Sequence, residues 1–147
     1  MDEEKCGHPE FFGRHVGFTA KCIRDRLRHA LIEAGHELST EQAIVLINLW
    51  HHDGSNQQMI SYFLGRDKAS TTRWLDVLEK RNLVLRVTSK EDRRQNMIYA
   101  TNEGKKLCEE LLVVFQKVHE VALEGIDPKE VEVCTDVLGR VRENMAK

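Results

Sequence analysis

Asp67-Lys68-Ala69-Ser70-Thr71-Thr72-Arg73-Trp74-Leu75-Asp76-Val77-Leu78-Glu79-Lys80-Arg81 is followed, one residue later, by Leu83-Val84-Leu85-Arg86-Val87-Thr88, and the apolar period changes between the two stretches. In the first, Thr71, Trp74, Leu75 and Leu78 recur at three- and four-residue spacing, which is one face of a helix. Asp67 is a suitable cap for that helix, and Asn82 tolerates the left-handed conformation that ends one. The second stretch is short and β-branched, and so is Met97-Ile98-Tyr99-Ala100-Thr101. Between the strands, Ser89 to Asn96 is wholly polar. The spacing predicts a helix over Lys68 to Arg81 and then a β-hairpin with a long, exposed, basic tip.

Upstream, Ser55 is a candidate cap for a short helix holding Met59, Ile60, Phe63 and Leu64, which Gly65 ends. Ser39 and Gln42 form a capping-box pattern ahead of a helix through Ala43, Leu46, Ile47 and Trp50 that ends near His52. Asp53-Gly54 reads as a turn. Residues 1–8 read as a loose tail and residues 9–35 as a long helix, with Pro9 in its first turn and Gly35 as its stop. Its apolar positions are Phe12, Val16, Ile23, Leu27, Ala30 and Leu31. Downstream, Thr101 caps a long helix carrying Leu107, Leu111, Val114, Phe115, Val118 and Ala122. Pro128 opens a last one with Val131, Val133, Val137, Leu138 and Val141.

Two short helices joined by a tight turn and followed at once by a hairpin make a winged helix-turn-helix. The fold expected is mainly α with a small β-hairpin wing, all within a single domain over 1–147. The winged lobe is 39–101. The flanking helices, 9–35 and 102–147, carry apolar stripes that would lie bare on a monomer and are expected to pair with a second copy of the chain.

The chain has 147 residues, room for one ordinary domain. Of these, 41% are apolar and 31% charged, which suits a soluble protein with a core. The longest uncharged apolar run, Ala43 to Trp50, is too short to span a bilayer. The polar start Met1-Asp2-Glu3-Glu4-Lys5 is not a signal peptide. A cytoplasmic location is expected, and the scattered cysteines Cys6, Cys22, Cys108 and Cys134 read as reduced thiols.

The net charge of −2 conceals an asymmetry. From Arg66 to Arg94 nine cations face five carboxylates, a surplus of +4, whereas Asn102 to Asp136 carries −5. A basic segment in an otherwise acidic molecule is the electrostatic footprint of a nucleic-acid contact. The second helix of a helix-turn-helix enters the major groove, where each base pair shows a distinct donor–acceptor pattern. Opposite its buried stripe stand Ala69, Ser70, Thr72, Arg73 and Asp76, behind Lys68. Small residues there allow close approach, and Arg73 suits a two-pronged contact with guanine. Arg93 or Arg94 at the hairpin tip suits the narrow minor groove, where the negative potential is strongest. Asp92 is expected to pair with Arg94 or to cap the turn.

Asp67-Lys68-Ala69-Ser70-Thr71-Thr72-Arg73, then Leu78-Glu79-Lys80, then Glu91-Asp92-Arg93-Arg94 leading to Ala100-Thr101-Asn102-Glu103-Gly104, resembles the multiple-antibiotic-resistance regulator (MarR) family, from about residue 11 onward. The resemblance implies a homodimeric winged-helix transcription factor, usually a repressor, on a pseudo-palindromic operator of double-stranded DNA. By position it places Ser70, Thr72 and Arg73 at the major groove, Arg94 in the minor groove with Asp92 supporting it, and Ser55 and Gln57 near phosphate. Arg66 stands where the family usually has an apolar residue, and Thr71 where valine is common.

The resemblance also implies a small aromatic or anionic effector held between the dimer helices and the winged lobe. Arg14, His15, Phe18, Cys22, Trp50 and His51 are the residues that would line such a cleft; as plain core and rim residues of the first two helices they need no ligand. Thiol sensing and metal sensing are alternatives on the same fold. Cys22 reads more readily as a buried, inert thiol than as a reactive one. His51-His52-Asp53 lacks the helical spacing of a metal site, and Glu33 with His36 offers two ligands only, so no metal or other cofactor is expected. No phosphate loop, G-x-S-x-G or H-E-x-x-H motif is present, so the chain does not read as an enzyme. The reading from a different class is a winged protein-interaction module that does not bind DNA.

Overall fold

The computed structural model describes residues 11–147. Residues 1–8, Pro9 and Cys6, and what was expected of each, lie outside the described residues.

The element order is α1 (Phe12–Glu33), α2 (Thr40–His51), β1 (Ser55–Asn56), α3 (Gln57–Leu64), α4 (Lys68–Lys80), β2 (Val84–Thr88), β3 (Asn96–Ala100), α5 (Asn102–Ala122) and α6 (Pro128–Met145). Local chemistry fixes most boundaries. The capping box at α2 forms: Gln42 N–H donates to Ser39 Oγ at 3.1 Å, and Ser39 N–H donates to Gln42 Oε1 at 3.0 Å. Thr101 Oγ1 accepts the Gly104 N–H at 3.0 Å and starts α5. Asp127 caps α6 with Pro128 in the first turn. Asn82 adopts φ 56° behind α4. Its N–H donates to the Glu79 carbonyl while the Leu83 N–H reaches back to that of Leu78, so two end carbonyls are satisfied.

Two expectations about the winged lobe change. Ser55 does not cap α3. Asn56 does, its Oδ1 accepting the Met59 N–H at 2.8 Å. Ser55 instead pairs with Ile98 in a third strand, giving an antiparallel sheet of order β1-β3-β2. Its hydroxyl donates to the His52 carbonyl at 2.6 Å, which leaves α3's end to the neighbouring amide side chain.

The core joins all parts of the chain. Leu31 of α1, Leu46 and Leu49 of α2, Ile60 of α3, Leu75 and Leu78 of α4, Ile98 of β3 and Leu111 of α5 are fully buried. The flanking helices are therefore not wholly bare, as α1 buries Leu27 and Leu31, and α5 buries Cys108, Leu111, Val114 and Val118. On these helices, bare apolar surface includes the start of α1, the end of α5 and α6. Phe12, Phe18, Val121, Leu123, Ile126 and Val133 are exposed there, and α6 buries no residue. No helix among the described residues is long and apolar enough to cross a membrane.

Candidate nucleic-acid interface

The turn between α3 and α4 is closed by Gly65 at φ 58°, a conformation without steric cost for glycine. The N–H groups of Gly65 and Arg66 return to the carbonyls of Tyr62 and Ser61. Asp67 then caps α4 twice, accepting the Ser70 N–H at 2.8 Å and the Ser70 hydroxyl at 2.9 Å. These bonds hold its carboxyl below the usual carboxylate range. Arg66, the departure just before that cap, lies 4.0 Å from Glu41 at the start of α2.

The inner side of α4 is Thr71, Leu75 and Leu78, with Trp74 half-buried. Thr71 is buried because its hydroxyl is satisfied, donating to the Asp67 carbonyl at 3.1 Å and meeting Ser61 Oγ at 3.0 Å. A valine there would leave Ser61 without that partner. On the outer side, Lys68, Ala69 and Arg73 are exposed and Ser70 is half-buried. Arg73 Nη2 donates to Ser70 Oγ at 3.1 Å, which lays the guanidinium along the helix start. Thr72 is less open than expected. Its hydroxyl donates to the Lys68 carbonyl at 2.8 Å and accepts from Gln57 Nε2 at 2.5 Å, so the Thr72 and Gln57 side chains bind each other.

The wing tip is a built turn. Ser89 Oγ accepts the N–H groups of Glu91 and Asp92, at 3.2 and 3.3 Å. Asp92 accepts the backbone N–H of Arg94 at 3.0 Å and the side-chain amide of Gln95 at 3.1 Å. Of the two roles expected of Asp92, the structure has the turn cap; an ion pair with the Arg94 guanidinium is absent among the described residues. Arg93 and Arg94 are both exposed. Lys68 of α4 and Arg94 of the wing line one open groove of about 480 Å³, with Gln57, Gln58, Ser61 and Gln95. The helix and the wing thus present their cations together.

Arg86 was not singled out by the sequence reading, and it changes the role of Asp76. Its guanidinium donates to Asp76 Oδ1 at 2.7 Å, Glu79 Oε2 at 2.5 Å and the Thr72 carbonyl at 3.3 Å. Asp76 is therefore held against the wing strand. The signal was strand alternation. Arg86 shares a face with buried Val84, and a cation on the inward face calls for a carboxylate partner.

The residues considered for an effector do not form a closed cleft in one chain. Arg14, His15, Phe18 and Cys22 are exposed along α1, and Trp50 and His51 are exposed at the end of α2. Two further cavities among the described residues, one containing Arg24, Arg28 and Arg66 and one containing Ala30, Val114 and Val121, are lined by none of the six. Cys22 is exposed rather than buried, because the rest of the chain does not cover that part of α1. Its neighbour Lys21 is tied to Asp25 at 2.7 Å. Cys108 is the buried thiol. Among the described residues no group of three or more His, Cys, Asp or Glu side chains is placed to hold a metal ion.

Comparison with known proteins agrees with this geometry. Residues 38–95 match the MarR family model. The HTH-type transcriptional regulator YfiV of Bacillus subtilis (strain 168) is 32% identical over 117 residues, covering 76% of this chain and 71% of that protein. A putative MarR family regulator from Listeria monocytogenes, complexed with 26mer DNA, superposes with a TM-score of 0.80 at 25% identity, over 90% of this chain and 87% of that one. CouR from Rhodococcus jostii RHA1, bound to p-coumaroyl-CoA, superposes with a TM-score of 0.77 at 25% identity, over 95% of each chain.

Proposed function

The chain belongs to the MarR family of winged-helix transcriptional regulators, and from that premise we propose that it is a homodimeric cytoplasmic repressor of a pseudo-palindromic operator, released by a small aromatic or anionic ligand. One observation carries the DNA-binding part. Lys68 and Arg94 line the groove between α4 and the wing, Arg73 and Arg93 are exposed on the same two elements, and among the described residues none of the four is in an ion pair. Ala69, Ser70 and Arg73 meet base edges or phosphates in the major groove. Arg93 and Arg94 serve the adjacent minor groove. Ser55, Gln57 and Thr72 hold the backbone of this surface in place, and Asp92 shapes the tip. The Listeria relative complexed with 26mer DNA supports the reading.

The dimer is carried by the uncovered apolar surface of α1, α5 and α6, which a second copy would bury. Two recognition helices then face successive major grooves, roughly 34–36 Å apart. The ligand part draws support from CouR bound to p-coumaroyl-CoA. Arg14, His15, Phe18, Cys22, Trp50 and His51 would supply aromatic and cationic contacts once the partner covers α1. Release requires the ligand to favour the lobe spacing that does not fit DNA.

Sedimentation together with titration of duplex DNA at rising salt tests the core of this reading. A dimer whose affinity falls steeply with salt is expected, because each phosphate contact releases counterions. A stable monomer at micromolar concentration, or no binding at low salt, would overturn it.

A further inference from the structure

Arg86 lies on β2, behind the helix that approaches DNA, and only 18% of its side chain is exposed. Its guanidinium spans two carboxylates one turn apart on α4, Asp76 and Glu79. Those carboxylates remain 48% and 42% exposed. A helix carrying two open carboxylates is poorly suited to approach a polyanion, since like charges facing each other oppose binding. Arginine is suited to correct this, because its planar fork holds two acceptors in fixed geometry and its charge does not titrate. The third bond, to the Thr72 carbonyl at 3.3 Å, ties the same guanidinium to the backbone of α4 one turn earlier.

We propose that Arg86 is a positioning residue for DNA binding, which holds Asp76 and Glu79 from the wing strand and offsets their charge toward the duplex. It rests on the DNA-binding reading above. Without Arg86 the helix keeps its base-reading side chains but meets phosphate with two unpaired carboxylates.

The experiment compares binding of a 26-base-pair random-sequence duplex by the full chain and its variants across a salt series. At low salt Arg86→Gln is expected to bind about tenfold more weakly. The deficit shrinks as salt rises, because screening acts on charge repulsion and not on lost shape. Adding Asp76→Asn and Glu79→Gln to Arg86→Gln restores affinity to within about twofold of wild type. Arg86→Lys, whose ammonium cannot span both carboxylates, falls about threefold short. A triple variant as weak as Arg86→Gln, or a salt-independent deficit, overturns the charge role. Asp76→Asn with Glu79→Gln in the wild-type background gives a readout that does not need Arg86→Gln to fold. About threefold tighter binding is expected, and unchanged affinity overturns the inference. Wild-type protein that fails to bind the duplex at all removes the DNA-binding reading itself, and with it this inference, which keeps the two failures distinct.

Discussion

Asp92 holds Arg94 by its backbone and not by its charge. The carboxylate accepts the Arg94 N–H at 3.0 Å, while the guanidinium stays exposed and outside any ion pair among the described residues. The tip is fixed and its cation is left free, which suits the minor-groove contact proposed for it. A direct Asp92–Arg94 pair would have to break before Arg94 reached DNA.

This arrangement separates two variants. Arg94→Ala should weaken binding most at sites with a narrow minor groove, where an inserted cation gains most. Asp92→Ala should weaken all sites by about 1 kcal/mol, through lost pre-organisation of the tip, and Asp92→Asn, which keeps an acceptor, should lose less. Fluorescence anisotropy on duplexes with and without an A-tract checks both. Equal affinity of Arg94→Ala for the two duplexes would remove the wing from the contact surface.

Arg73 is the outer-face residue of α4 with a free fork. Its bond to Ser70 Oγ is exposed and has a neutral acceptor that a base edge can replace. Arg73→Ala should relax base preference, at about 1–3 kcal/mol of discrimination for one bidentate guanine contact. Selection from a randomised duplex pool reads this out. An unchanged consensus in the variant would assign specificity elsewhere.

The parts of this molecule that sequence reveals are those decided within one turn of chain. Ser39 with Gln42, Asp67 with Ser70 and Thr101 with Gly104 each mark a helix start, because the cap and the N–H it satisfies are neighbours, and Pro128 marks another because its fixed backbone suits a first turn. The apolar period of α4 and its switch at Asn82 are local in the same way. What sequence hides is non-local. Ser55 and Asn56 form a strand of two residues only because β3 lies beside them, with Ser55 paired to Ile98 and Asn56 to Met97, and no periodicity shows in so short a run. Gln57 and Thr72 bind each other across 15 positions of chain, a pairing neither residue's own neighbours announce. Asp76 looked outward until Arg86 met it from the next element. Cys22 is exposed because the chain buries only later residues of α1, Leu27 and Leu31, and how far a helix is covered depends on distant elements.

Gly104 accounts for the Thr-x-x-Gly spacing. A Cβ on this residue would stand 2.1 Å from the Leu83 carbonyl oxygen. That carbonyl already accepts the Thr101 N–H at 3.1 Å, so it cannot retreat without releasing the end of the sheet. Gly104→Ala should therefore destabilise the fold by about 1–3 kcal/mol, even though alanine is the better helix former. Thermal melting checks the sign. A variant as stable as wild type would mean that α5 can move away from β2.

Cys108 is fully buried on α5, and its thiol donates to the Leu46 carbonyl at 3.2 Å. Burial, aided by the charges of Asp53 and Glu109, pushes its pKa from 9.0 up to about 11. The thiol therefore stays neutral and a poor nucleophile near pH 7. With Cys6, Cys22 and Cys134 changed to serine, a thiol reagent should modify Cys108 only as fast as the protein unfolds. The same shift has a consequence for stability. As pH rises through the ordinary thiol value, Cys108 ionises first in the unfolded chain, so its contribution to stability is full below pH 9 and is lost as pH approaches 11. Cys108→Ala removes this contribution and should flatten the decline of the melting temperature between those values. Rapid labelling of Cys108 in the native protein, or parallel profiles for the two proteins, would show that the thiol is open to solvent and has no part in the core.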